Sequence, residues 1–71
     1  MPFDLPGLRR ELEQLIHARV GNRVRNLDIQ LSPEGVVLHG LAGSFHVKQL
    51  AQHSVREMLP KVQLQNAIQV D

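Results

Sequence analysis

GVVLHGLAGSFHVKQLAQHSVREMLPKVQLQNAIQV, residues 35–70, decides the architecture of this chain. Gly35-Val36, Leu38 and Gly40 alternate with Val37, His39 and Leu41, the period of two expected of a strand over about 36–42. Gly43-Ser44 breaks it, and Ser44 is placed to cap a helix. Over 44–59 the period lengthens: Val47, Leu50, Ala51, Ser54, Val55 and Met58 share one side, and Lys48, Gln49, Gln52, Arg56 and Glu57 the others. Pro60 stops that helix. Alternation returns over 62–70, with Val62, Leu64, Asn66, Ile68 and Val70 set against Gln63, Gln65, Ala67 and Gln69. The order strand, helix, strand predicts a right-handed crossover between parallel neighbours.

Upstream, 24–31 also alternates: Leu27, Ile29 and Leu31 point one way, Asp28 and Gln30 the other. Ser32-Pro33-Glu34-Gly35 is a turn, because proline presets φ and glycine tolerates positive φ. The two strands it joins should form an antiparallel hairpin. Further upstream, Leu5, Leu8, Leu12, Leu15 and Ile16 recur at helical spacing. Asp4 is placed to cap this helix, Pro6 lies in its first turn, and Gly21 suits a left-handed cap at its end.

Both helices carry an apolar stripe and the strands offer one apolar face. The expected fold is therefore α+β, an αββαβ two-layer sandwich. Two helices pack on one face of a three-stranded mixed sheet, with 36–42 in the middle.

Seventy-one residues allow one domain, 1–71. A chain this short buries only about 60% of the surface its unfolded form exposes, so a partner would add useful stability. There are no cysteines, which excludes disulfides and thiolate metal sites. The net charge of +1 is too small to favour nucleic acid. The longest aliphatic run is Val36-Val37-Leu38, far short of a membrane span. Residues 1–7 lack the pattern of a signal peptide, so the expected compartment is the cytoplasm. Were the chain cut from a longer precursor, the cell envelope would be expected instead.

In this arrangement the chain resembles the BON domain, a compact αββαβ module named for bacterial osmotically inducible and nodulation proteins. Gly35-Val36, Leu38, Gly40, Ala51, Leu64, Asn66, Ile68 and Val70 carry the resemblance, which covers about 8–70. Val36, Leu38, Ile68 and Val70 read as the inward face. Gly40 reads as a strand end passed closely by a helix. Asn66 falls among apolar residues and needs a hydrogen-bond partner. The resemblance implies a non-enzymatic adaptor that associates with phospholipid membranes or with partner proteins of the envelope.

Arg19, Arg23 and Arg25 form the clearest charge cluster, with no acidic residue between Glu13 and Asp28. They are the candidate site for an anionic head group. The plainer reading is that they complement the negative end of the first helix and face solvent. His17, His39, His46 and His53 lack metal-ligand spacing: His46 and His53 sit about 10 Å apart along a helix axis. No metal and no cofactor are expected. Gly40-Leu41-Ala42-Gly43 matches a G-x-x-G string, but it carries no basic residue, and Phe3 and Phe45 are the only aromatics. Ser32, Ser44 and Ser54 lie in no nucleophile motif, and Glu11 and Glu13 diverge on their helix, so no enzyme is expected.

The last candidate is the sheet face left uncovered by the helices. It would show Asp28, Gln30, Val37, His39, Leu41, Gln63, Gln65, Ala67 and Gln69. Val37, His39, Leu41 and Ala67 would be its centre, a surface for a protein partner or a weak homodimer. The plainer reading is an antiparallel sheet with one face in water.

Overall fold

Alternation and periodicity become five elements in the computed structural model, which describes residues 5–71 and their side chains from Gly7 onward. They are α1 (Leu5–Val20), β1 (Val24–Ser32), β2 (Gly35–Ala42), α2 (Phe45–Met58) and β3 (Leu64–Val70). The capping role read for Asp4 lies outside the described residues.

The helix ends follow the local chemistry. Gly21, at φ +62°, donates its N–H to the His17 carbonyl over 2.7 Å and turns the chain out of α1. The Ser44 hydroxyl accepts the Val47 N–H over 3.3 Å at the start of α2. At its end, Leu59 donates to the Val55 carbonyl over 2.8 Å, and Pro60 follows.

The strands lie in the order β1-β2-β3. β1 and β2 form the antiparallel hairpin, with Ile29 opposite Leu38 and Gln30 opposite Val37. β3 returns parallel to β2, pairing Val36 with Leu64, Leu38 with Asn66 and Gly40 with Ile68. Val36 N–H donates to the Gln63 carbonyl and Asp71 N–H to the Ala42 carbonyl, each over 2.9 Å. Odd-numbered residues of β3 therefore turn their main chain to β2, and even-numbered ones turn theirs to the outer edge.

Both helices cover the same face. Leu12, Ile16 and Val20 of α1 and Val47, Ala51 and Val55 of α2 pack on Ile29, Val36, Leu38, Ala42 and Ile68 in one cluster. Each fully buried aliphatic side chain stabilises the fold by about 1.5–3 kcal/mol relative to exposure. Ser54, the buried polar residue of this layer, donates to the Leu50 carbonyl over 2.9 Å. Val70 takes the inward register opposite Ala42, but it lies at the end of the sheet and stays 42% exposed.

Three details differ from the sequence reading. β3 begins at Leu64 rather than at Val62. The main chain of Val62 is engaged elsewhere: its N–H faces the Leu59 carbonyl at 3.4 Å, and its carbonyl accepts the Arg56 guanidinium at 2.8 Å. β1 contains a bulge between Arg25 and Asp28, with Asn26 at φ +56°. The extra residue lets Val24 and Ile29 face the same side, which simple alternation forbids.

The third detail concerns Gly40. It lies within β2 rather than at its end, and the element pressed against it is the bulged β1, not a helix. A Cβ there would stand 2.9 Å from Val24 Cγ1 and 3.1 Å from the Arg25 carbonyl oxygen, and its φ is +156°. The bulge brings main chain so close that only glycine fits without displacement.

Candidate interaction surface

The sheet face opposite the helices is built by the outward residues of three strands. β2 places Val37, His39 and Leu41 in its centre line. The register sets Gln30 beside Val37, Asp28 beside His39 and Arg25 beside Leu41 on one flank. On the other flank it sets Gln65, Ala67 and Gln69 beside the same three. No helix among the described residues lies on this face. Val37, His39, Leu41 and Ala67 are half-buried by their strand neighbours alone. The four residues singled out from sequence therefore come together as one low, weakly polar strip, bordered by Gln65 and Gln69 on the β3 side and by Gln30, Asp28 and Arg25 on the β1 side.

Two ion pairs stand at the rim. Arg25 donates to the Asp71 carboxylate over 2.7 Å, joining β1 to the chain after β3 across β2. Arg9 reaches from α1 round the edge of β1 to Asp28, 3.1 Å away, and also lies 3.7 Å from Glu13. Sequence reasoning missed Arg25 and Asp71 as part of this face. Plain alternation puts Arg25 on the side of Leu27, and only the bulge moves it. A single signal hinted at this: asparagine, the residue at position 26, tolerates the left-handed conformation that this bulge adopts.

The three arginines proposed for an anionic head group do not converge. Arg19 makes a two-pronged pair with Glu57, at 2.8 and 2.5 Å, and ties α1 to α2. The hydrogen bond from Arg19, helped by its charge, holds the Glu57 carboxyl below the usual range; the same contact raises Arg19. Arg23 folds back on the end of α1, donating to the Val20 carbonyl over 2.9 Å and to the Arg19 carbonyl over 3.1 Å. Arg25 is on the sheet face with Asp71. One arginine thus serves a helix–helix tie, one a helix end and one the sheet rim.

The histidines are equally dispersed. His39 lies on the open face, while His17, His46 and His53 are exposed on the helices. Among the described residues no three histidine, aspartate or glutamate side chains come together as a ligand set. No helix among them is long and apolar enough to cross a membrane.

Asn66 has the partners its inward position demands. Its Nδ2 donates to the Lys48 carbonyl of α2 over 3.0 Å and lies 3.3 Å from Gln52 Oε1, and its Oδ1 accepts the Ile68 N–H over 3.1 Å. That N–H belongs to the even-numbered set and points to the outer edge of β3. The side chain therefore occupies a main-chain donor that would otherwise be open to another strand.

Comparison of the chain with models of known protein families finds no match, and comparison with curated proteins and with solved structures finds no significant similarity.

Proposed function

We propose that the chain is a non-enzymatic binding module of the BON type, and that its working surface is the open sheet face. The observation that carries this reading is the strip Val37, His39, Leu41 and Ala67, a contiguous patch with few charges, left bare by helices that both sit on the other side. Such a strip suits the weakly polar surface of a protein partner, with the Arg25–Asp71 and Arg9–Asp28 pairs as its charged rim.

Affinity capture with the wild-type chain and with Val37→Lys/Leu41→Lys, side by side, tests this. Both substitutions fall on the bare face, so the fold is expected to survive. A partner retained by wild type and lost by the variant is the expected result. Equal capture by both chains moves the working surface elsewhere.

A second reading, association with an anionic lipid surface, draws on one observation: Arg23 is exposed and contacts only main-chain carbonyls, so no carboxylate neutralises it among the described residues. Co-sedimentation with phosphatidylserine vesicles at low and high salt separates the two. Salt-sensitive pelleting that Arg23→Glu/Arg25→Glu abolishes would support lipid association.

A further inference from the structure

The two edges of the sheet are unlike. On β3, Asn66 occupies the outward N–H of Ile68 and is itself held against α2. On β1, residues 28–31 have β2 on one side and a groove of about 600 Å³ on the other, walled by Arg9, Arg10 and Glu13 of α1. The bulge ends this regular stretch on its N-terminal side. Among the described residues only the exposed Arg9–Asp28 strap spans this edge, and with that strap swung aside the edge is a template for another strand.

We propose that this edge pairs with the same edge of a second copy, antiparallel about a two-fold axis, to make one continuous six-stranded sheet. Three observations select a second copy as the occupant. First, joining β1 of one copy to β3 of the next would propagate without end, and Asn66 obstructs that route. Pairing β1 with β1 closes at two.

Second, a two-fold interface must complement itself, and this groove does. Arg9 and Arg10 stand beside Glu13 and Asp28, two cations with two anions. Arg10 has no partner among the described residues, and across the axis it meets the Glu13 of the other copy. A purely acidic or purely basic peptide would leave one of the two pairs opposed.

Third, the Arg9–Asp28 pair that straps the edge is half exposed at both ends, with side chains 50% and 45% accessible. Exposed pairs of this kind are weak. Exchanging Arg9 onto the Asp28 of the other copy keeps the number of ion pairs unchanged. Registers that set Ile29 or Gln30 opposite its own counterpart keep the apolar faces aligned. The register that opposes Asp28 to Asp28 is disfavoured by like charge.

The dimer would bring two bare faces into one plane and double the platform. This does not depend on what the platform binds. Sedimentation and disulfide trapping test it with the full chain, which has no cysteine of its own. Gln30→Cys should form a disulfide-linked dimer under mild oxidation, while Gln65→Cys, on β3, should not. Arg10→Glu should weaken the wild-type dimer about tenfold, and Arg10→Glu/Glu13→Arg should restore it. A chain that stays monomeric at millimolar concentration, a dimer unchanged by Arg10→Glu, or trapping through Gln65→Cys in place of Gln30→Cys would overturn the proposal.

Discussion

Asn66 and Lys48 are joined by a hydrogen bond of 3.0 Å from the Asn66 amide to the Lys48 carbonyl, and this bond fastens the last strand to the helix above it. The same side chain accepts the Ile68 N–H, so one residue anchors β3 and occupies a main-chain donor in the middle of its edge. Asn66→Ala should lower the unfolding free energy by about 1–3 kcal/mol, the cost of leaving polar groups without partners. It should also raise concentration-dependent aggregation, because the Ile68 N–H becomes available. Urea denaturation and light scattering check the two effects. An unchanged midpoint would show that the bond is not needed.

Gly40 and Gly43 lie three positions apart and should answer differently to the same substitution. At Gly40 the new methyl would press on Val24 and the Arg25 carbonyl, in a conformation unfavourable to side chains. At Gly43 a Cβ would meet nothing within 4 Å. Gly40→Ala should cost roughly 1–3 kcal/mol. Gly43→Ala should stay within about 0.5 kcal/mol of wild type. Thermal denaturation of the pair is the measurement, and similar losses would contradict the bulge geometry.

The Arg19–Glu57 tie makes a pH prediction. Glu57 titrates below its ordinary value in the folded chain because Arg19 holds its charged form. Its contribution is therefore present above the unfolded value of about 4.3 and is lost as pH falls through the lower folded value. Glu57→Gln should remove this component of the acid dependence while leaving the neutral-pH fold intact. Melting temperatures of both chains across the acid range check it. Parallel curves would show that the pair adds nothing.

Leu38 and Ile68 lie on adjacent strands beneath the helices, with no more than 1% of either exposed. Leu38→Ala or Ile68→Ala should cost about 2–5 kcal/mol. A chain of this length has little reserve, so either variant should be largely unfolded at ambient temperature. Circular dichroism decides, and a native spectrum with an unchanged melting temperature would misplace the core.

Element type and order were legible because each has a local cause. Ser44 and Pro60 bracket α2, Gly21 ends α1, and alternation around Leu38 divides β2 into a buried and a bare side. Val37, His39, Leu41 and Ala67 could be grouped because parallel and antiparallel registers preserve that division. The bulge at Asn26 was not legible, since one unpaired residue leaves little trace in a polar strand. It carried Arg25 to the other face and gave Gly40 a different neighbour. The partners of the arginines were equally hidden. Arg19 and Glu57 are 38 positions apart and Arg25 and Asp71 are 46 apart, so only the completed fold brings them together. A cluster in sequence therefore became three separate contacts.

One side of the sheet carries both helices and, among the described residues, the other carries no element. Methyl relaxation in the presence of a soluble paramagnetic probe tests this most directly. The methyl groups of Val37, Leu41 and Ala67 should relax strongly, while those of Val36, Leu38 and Ile68 remain nearly unaffected. Equal protection of both sets would show that the second face is covered and would contradict the account.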